Sequence, residues 1–398
     1  MNTKTTTPLF YLGLLSAFSL LAFDLFQPAL PAITNYFNTT QSVGQLTLSL
    51  FLFVYGVSQL FWGPIIDHYG RRTPLFYSLF IFIIATFACI FAPSMWVLIT
   101  GRIFQGFAVC CANNLAFSSS RDIDDSRQRA KTISYIAMII SISPIFAPVI
   151  GSYIFVLSNW QMIFWTMQGI ALLLGFLGMY LMNESNYWRP PTKHLNMKRS
   201  LYRYSYLFNK TGIWRAALIS SASFSCVMIF IVNASYLFID GMGYSPTTFG
   251  SLFALIGFNL IFGNYIGIKL RDKKSLNWNI RLGAGTMIIG SLIMLLLFFV
   301  FGMKLYSMAP ILLINIGVSL TNPPALAMAL NDYPRLSSSA TAMVNTVRSI
   351  ISALVAATIS LFVYAHPIVF PIGMLFCSLV CGITSLKLYP LSEDENND

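Results

Sequence analysis

Apolar runs of about twenty residues, the length a helix needs to cross a bilayer core, recur from one end of this chain to the other. That repetition restricts the possible folds more than any other feature. Backbone surrounded by hydrocarbon must bond internally, and a helix does so within each segment. Breaking the runs at Pro, Gly and charge clusters gives twelve spans: 8–30, 43–66, 74–92, 95–117, 132–156, 160–182, 213–238, 246–269, 281–301, 305–330, 337–364 and 367–388. Of the 398 residues 56% are hydrophobic and only 9% charged, where soluble chains carry about a quarter charged. The short alternating strands of a transmembrane barrel are absent. The fold class is therefore an all-α polytopic membrane protein. MNTKTTTP precedes the first run with one Lys and no small-residue cleavage site before Asp24, so that run is expected to be a retained span.

The charges test the count. With the N-terminus inside, the inner loops are 67–73, 118–131, 183–212, 270–280 and 331–336, plus the tail; together with the adjoining span ends, this side holds nearly all of the 24 Lys and Arg. The outer loops hold one basic residue, Lys304. This is the positive-inside pattern, and it predicts cytoplasmic N- and C-termini. The net charge of +11 is then mostly topology: it calls for anionic lipid as a neighbour and for no nucleic acid. The long loop 183–212 divides six spans from six. GPIIDHYGRRTP (63–74) and GNYIGIKLRDKK (263–274) occupy matching places, 200 residues apart. The layout predicts two pseudo-symmetric six-helix halves, 1–182 and 213–388, joined by a cytoplasmic linker (183–212) and followed by an acidic tail (389–398).

Enzyme signatures are missing. The sequence has no G-x-x-x-x-G-K-[ST], no H-E-x-x-H and no G-x-S-x-G. The three histidines, His68, His194 and His366, fall in separate loops, and the six cysteines have no ligand spacing. No metal or cofactor is expected, and work must be driven by a gradient. Three charges lie well inside spans: Asp24, Arg102 and Arg348. Intramembrane charge is costly and usually lines a wet path or forms a pair. At 1.5 Å per residue, Asp24 lies roughly 9 Å and Arg102 roughly 10 Å below the outer surface. Their matching depth predicts a pair that couples protons, with Pro28 and Pro31 ending the first helix just beyond. A buried pair that only locks two helices is the competing reading. Arg348 lies roughly 16 Å deep, with no acid of its half at that depth. It is expected to meet an anionic substrate group, or to bond carbonyls or Asn side chains such as Asn345 and Asn315. Asn113, Asn233, Asn345 and Gln59 are candidate cavity-lining residues.

Gly63, Asp67, Gly70, Arg71 and Arg72 of GPIIDHYGRRTP are expected to latch one conformation through helix-terminus and acid contacts. Pro144, Pro148 and Gly151 of SPIFAPVIGSY mark a bent, closely packed gate helix.

These motifs together resemble the major facilitator superfamily, specifically the twelve-span drug:proton antiporters of the Bcr/CflA type. GPIIDHYGRRTP is similar to that superfamily's loop signature, and DLFQPALP (24–31) to the D-x-x-x-P-A-L-P segment of the first span. GRIFQG (101–106) resembles the fourth-span R-x-x-Q-G motif, whose Arg is linked to proton transfer. RDIDD follows that span, and the resemblance implies Arg121 as a partner for Asp67. APVIGS (147–152) resembles the antiporter motif G-P-x-x-G-G, with Ala147 and Ser152 in place of two glycines. The resemblance implies proton-driven export of small molecules by rocker-switch alternating access in the bacterial inner membrane. Arg348 departs from the family pattern and opens an alternative, export of an acidic metabolite such as a carboxylate siderophore. An importer of the same fold is a further reading. A non-transporting sensor would need a soluble domain or a long outer loop that the chain lacks. Nothing in the sequence requires more than a monomer.

Overall fold

The apolar runs fold as helices whose backbone is satisfied segment by segment. A computed structural model describes residues 7–120, 123, 125–184, 204–332 and 337–387. Among these, twelve helical segments are long and apolar enough to cross a membrane. They are α1 (Leu9–Tyr36), α2 (Gln41–Tyr69), α3 (Arg72–Ile90), α4 (Met95–Ser120), α5 (Lys131–Leu157), α6 (Trp160–Leu181), α7 (Thr211–Gly241), α8 (Pro246–Arg271), α9 (Leu276–Phe301), α10 (Leu305–Ala329), α11 (Ser339–Phe362) and α12 (Val369–Leu386). The predicted spans match this order one for one.

Local chemistry sets the ends. Thr40, Asn159 and Ser275 cap α2, α6 and α9, each side-chain oxygen accepting from the backbone N–H three residues on. Gly70 stops α2 at φ +80°, a left-handed conformation that costs glycine little. The first span corrects an expectation: its prolines do not end it. The straight helix stops at Asp24, a 3-10 turn covers Gln27–Ala29, and helix resumes over Leu30–Tyr36. Pro28 and Pro31 each occupy the opening positions of the piece they begin. There the missing N–H costs nothing and the fixed φ suits a helix. The result is a broken helix with Asp24 at the break.

Compactness divides the chain into two units. The first comprises Met1–Arg203 with Ile231–Phe258, and the second Tyr204–Phe230 with Asn259–Asp398. This differs from a linear cut at 183–212, because the joined ends of α7 and α8 belong to the first unit. Within the first unit α4 packs on α1, α2 and α3, and α1 also packs on α5. Within the second, α9 packs on α10 and α12. Of the sequence-based landmarks, Arg121, most of the linker and the acidic tail lie outside the described residues.

Candidate functional site

The break in α1 organises the polar interior of the first unit. Asp24 is 2% exposed, and its Oδ1 accepts a 2.7 Å hydrogen bond from Gln27 Nε2. Across from it, Arg102 on α4 is fully buried. Among the described residues no ion pair joins the two, so the expected direct pair is not formed. Arg102 Nη1 donates instead to the Ala22 carbonyl at 2.8 Å and to Gln105 Oε1 at 2.7 Å. Its guanidinium carbon stands 4.8 Å from the Phe26 ring centroid and 4.5 Å from that of Phe51.

The reason is the break itself. Ala22 lies in the last turn of the straight helix, where carbonyls lack intrahelical partners and the helix dipole is negative. A guanidinium satisfies both, and its planar face stacks on aromatic rings as an ammonium could not. Gln105, one turn along α4, passes the bond on by donating to Thr86 Oγ1 of α3 at 2.8 Å. Arg102 Nε and Nη2, and Gln27 Oε1, are buried without a hydrogen-bond partner among the described residues. The site therefore keeps an acid and a base that do not neutralise each other, with donor and acceptor capacity in reserve.

The loop expected to act as a latch is built on helix dipoles. The Glu184 carboxylate accepts from the backbone N–H groups of Arg71 (2.6 Å) and Arg72 (2.9 Å), at the N-terminus of α3. The Arg71 guanidinium reaches the Ser118 carbonyl (2.8 Å) at the end of α4, and that of Arg72 the Met179 carbonyl (2.9 Å) at the end of α6. An anion thus sits at a helix N-terminus and cations at two C-termini, the stabilising polarity in each case. Gly63 lies within α2 and Asp67 is exposed near its end. The predicted Asp67–Arg121 contact falls outside the described residues.

In α5, Pro144 and Pro148 sit inside a helix assigned without interruption from Ser126 to Leu157. A Cβ on Gly151 would overlap the Leu25 carbonyl oxygen, so bare backbone lets α5 press against the break in α1. The remaining predicted residues separate. Gln59, Asn113 and Asn233 belong to the first unit, where Asn233 accepts from Gln45 Nε2 at 2.8 Å. Arg348 and Asn345 belong to the second. There the Arg348 guanidinium carbon stands 4.7 Å from the Phe224 ring centroid, and Asn345 Oδ1 is buried without a hydrogen-bond partner among the described residues.

Sequence reasoning missed Gln27, Gln105 and Glu184. The two glutamines had a usable signal, since each lies three residues beyond its charged partner and hence beside it on a helical turn. Glu184 had none beyond being the first acid after α6.

The profile of the Major Facilitator Superfamily matches residues 12–357. The chain belongs to this superfamily, and is a multi-pass membrane transporter rather than an enzyme. Among curated relatives, an uncharacterized transporter of Rickettsia bellii is 28% identical over 345 residues, covering 79% of this chain and 80% of that one. The MFS-type transporter YdgK of Bacillus subtilis is 27% identical over 341 residues, 83% of each chain. Multidrug resistance protein MdtL of Escherichia coli is 28% identical over 232 residues, so the match spans 58% of either chain. Solved structures share the fold at low identity. A peptide transporter in complex with sulfate superposes with TM-score 0.76 at 12% identity, covering 97% of this chain and 94% of that one. A D-xylose–proton symporter gives 0.70 at 15%, with coverage of 95% and 97%.

Proposed function

We propose that the chain is a proton-coupled exporter of drug-like small molecules, of the Bcr/CflA type, working by alternating access in the bacterial inner membrane with both termini cytoplasmic. The reading rests above all on one observation: Asp24 and Arg102 are both buried at the break of α1 yet form no ion pair among the described residues. A locked pair would be inert. A carboxylate held, among the described residues, by Gln27 can gain and lose a proton as its distance from Arg102 changes between conformations. A proton that binds one conformation more tightly than the other shifts their populations, and cargo competing for the opposite conformation is exchanged against it. The gradient supplies the energy and no cofactor takes part. The chain acts as a monomer in the bilayer.

Export of drugs is supported by the relatives named for multidrug resistance, whose match covers 58% of the chain. The anionic-metabolite alternative is not favoured, because the Arg348 guanidinium lies over Phe224 rather than standing as a bare charge. The test is drug-driven proton movement in everted vesicles. Asp24→Asn is expected to reach the membrane in normal amount and to abolish proton-coupled efflux. Efflux at the parent level from that variant would overturn the coupling role.

A further inference from the structure

At the end of the first unit that carries residues 31–42, three polar pairs stand in a row that the Asp24–Arg102 site does not explain. Nearest the surface, Gln41 Nε2 donates to Asp240 Oδ2 at 3.3 Å. Next, the hydroxyls of Thr34 and Tyr236 share a hydrogen bond. Deepest, Gln45 Nε2 donates to Asn233 Oδ1 at 2.8 Å, with both residues fully buried. One side of the row comes from α1 and α2, where Gln41 and Gln45 are one helical turn apart. The other side is the last part of α7, which ends in a π-helical turn over Tyr236–Gly241. Such turns are rare and concentrate at functional positions. A Cβ on Gly44 would overlap the Tyr236 hydroxyl, so that hydroxyl is seated against bare α2 backbone.

The same end is closed alongside by α8. A Cβ on Gly250 would come within 2.8 Å of Ser152 Oγ and 3.0 Å of the Pro148 carbonyl, and one on Gly257 within 2.6 Å of Ile145. Here α8 presses on the α5 stretch that resembles the antiporter motif.

The chemistry of the row is that of a joint made to open. A polar pair between membrane helices contributes only about 1 kcal/mol net, so three of them hold a joint without locking it. Polar pairs have a different merit: once parted and wetted, each partner exchanges its bond for one with water at little cost. Below the row, Gln45 Oε1 and Ser49 Oγ are buried with no hydrogen-bond partner among the described residues. Ser49 lies one turn beyond Gln45 on α2, so unmet polar capacity continues inward from the seam.

We infer that Gln41–Asp240, Thr34–Tyr236 and Gln45–Asn233 form an openable polar seam, the gate on the extracytoplasmic side of the transport path. It is closed in this structure and parts in the state that releases cargo. The assignment of the side rests on the topology of the proposed function; the seam itself rests on the contacts.

The test reads opening without reading transport. The six native cysteines are all buried, which keeps background low. Ser49→Cys places a reporter beneath the seam, and a membrane-impermeant maleimide is applied to right-side-out and to everted vesicles. Gln45→Leu or Asn233→Leu removes the deepest bond of the seam, and is expected to raise labelling from the outer face about tenfold. Tyr236→Phe removes a single hydroxyl, spares the fold, and is expected to act in the same direction. Gln45→Leu with Asn233→Leu replaces both partners by apolar groups. It is expected to return labelling to the parent level or below and to stop efflux, because the seam no longer opens. Unchanged labelling from both faces in all three single variants would overturn the seam. A rise confined to everted vesicles would leave the seam standing and overturn the membrane orientation instead. A response in labelling from a parent that exports none of the drugs tried would overturn only the cargo.

Discussion

Arg102 shows how a buried charge is made tolerable without a counter-charge among the described residues. Its costs are met by a helix-end carbonyl, an amide oxygen and two aromatic faces, from Ala22, Gln105, Phe26 and Phe51. Taken together, two acceptors and two flanking rings suit a planar guanidinium better than a point-charge ammonium. Arg102→Lys, which keeps the charge, is therefore expected to lose about tenfold or more in efflux rate, measured in everted vesicles at matched protein level. Gln105 accepts from the guanidinium through Oε1 and donates to Thr86 through Nε2. Gln105→Leu removes both bonds and is expected to destabilise the protein by about 1–3 kcal/mol, read as a lowered midpoint in detergent-solubilised thermal unfolding. The charged residues here were legible from sequence, because charge in an apolar run is conspicuous. The neutral glutamines beside them were not, since an amide becomes informative only when its partner is known.

At the scale of elements, the sequence announced where helices lie but not how they break. Two prolines close behind Asp24 read as a terminus; in the structure they open a 3-10 turn and then a further helical piece. Both outcomes obey the same local rule, that proline suits a helix start, and only packing against α4 and α5 selects continuation. Gly151 belongs to this packing. Gly151→Leu would drive a side chain into the Leu25 carbonyl and is expected to cost about 1–3 kcal/mol, visible as lower folded yield and lower melting temperature. The turn before α3 depends likewise on a distant partner. Glu184→Gln weakens two charge-assisted bonds to the α3 N-terminus and is expected to cost about 1–3 kcal/mol, by the same measurement.

For the whole molecule, the count of spans and the asymmetry of Lys and Arg make one joint prediction about sidedness. Cysteines placed at Asn38 and at Lys304 are expected to react with an impermeant maleimide in right-side-out vesicles. One placed at Lys273 is expected to react only in everted ones. Reversal of both patterns would invert the topology, and a mixed result would break the span count. The sequence by itself determined the class, the number and order of membrane helices, and the burial of Asp24 and Arg102. These follow from segment-length hydrophobicity and from charge, properties each residue carries wherever it lies. Only the tertiary structure decided that Asp24 and Arg102 form no ion pair with each other among the described residues, that Glu184 caps α3, and that Ile231–Phe258 joins the first unit. Those outcomes depend on which orphaned carbonyl, amide or hydroxyl a side chain meets across helices far apart in the chain, and spacing along a sequence carries no record of that.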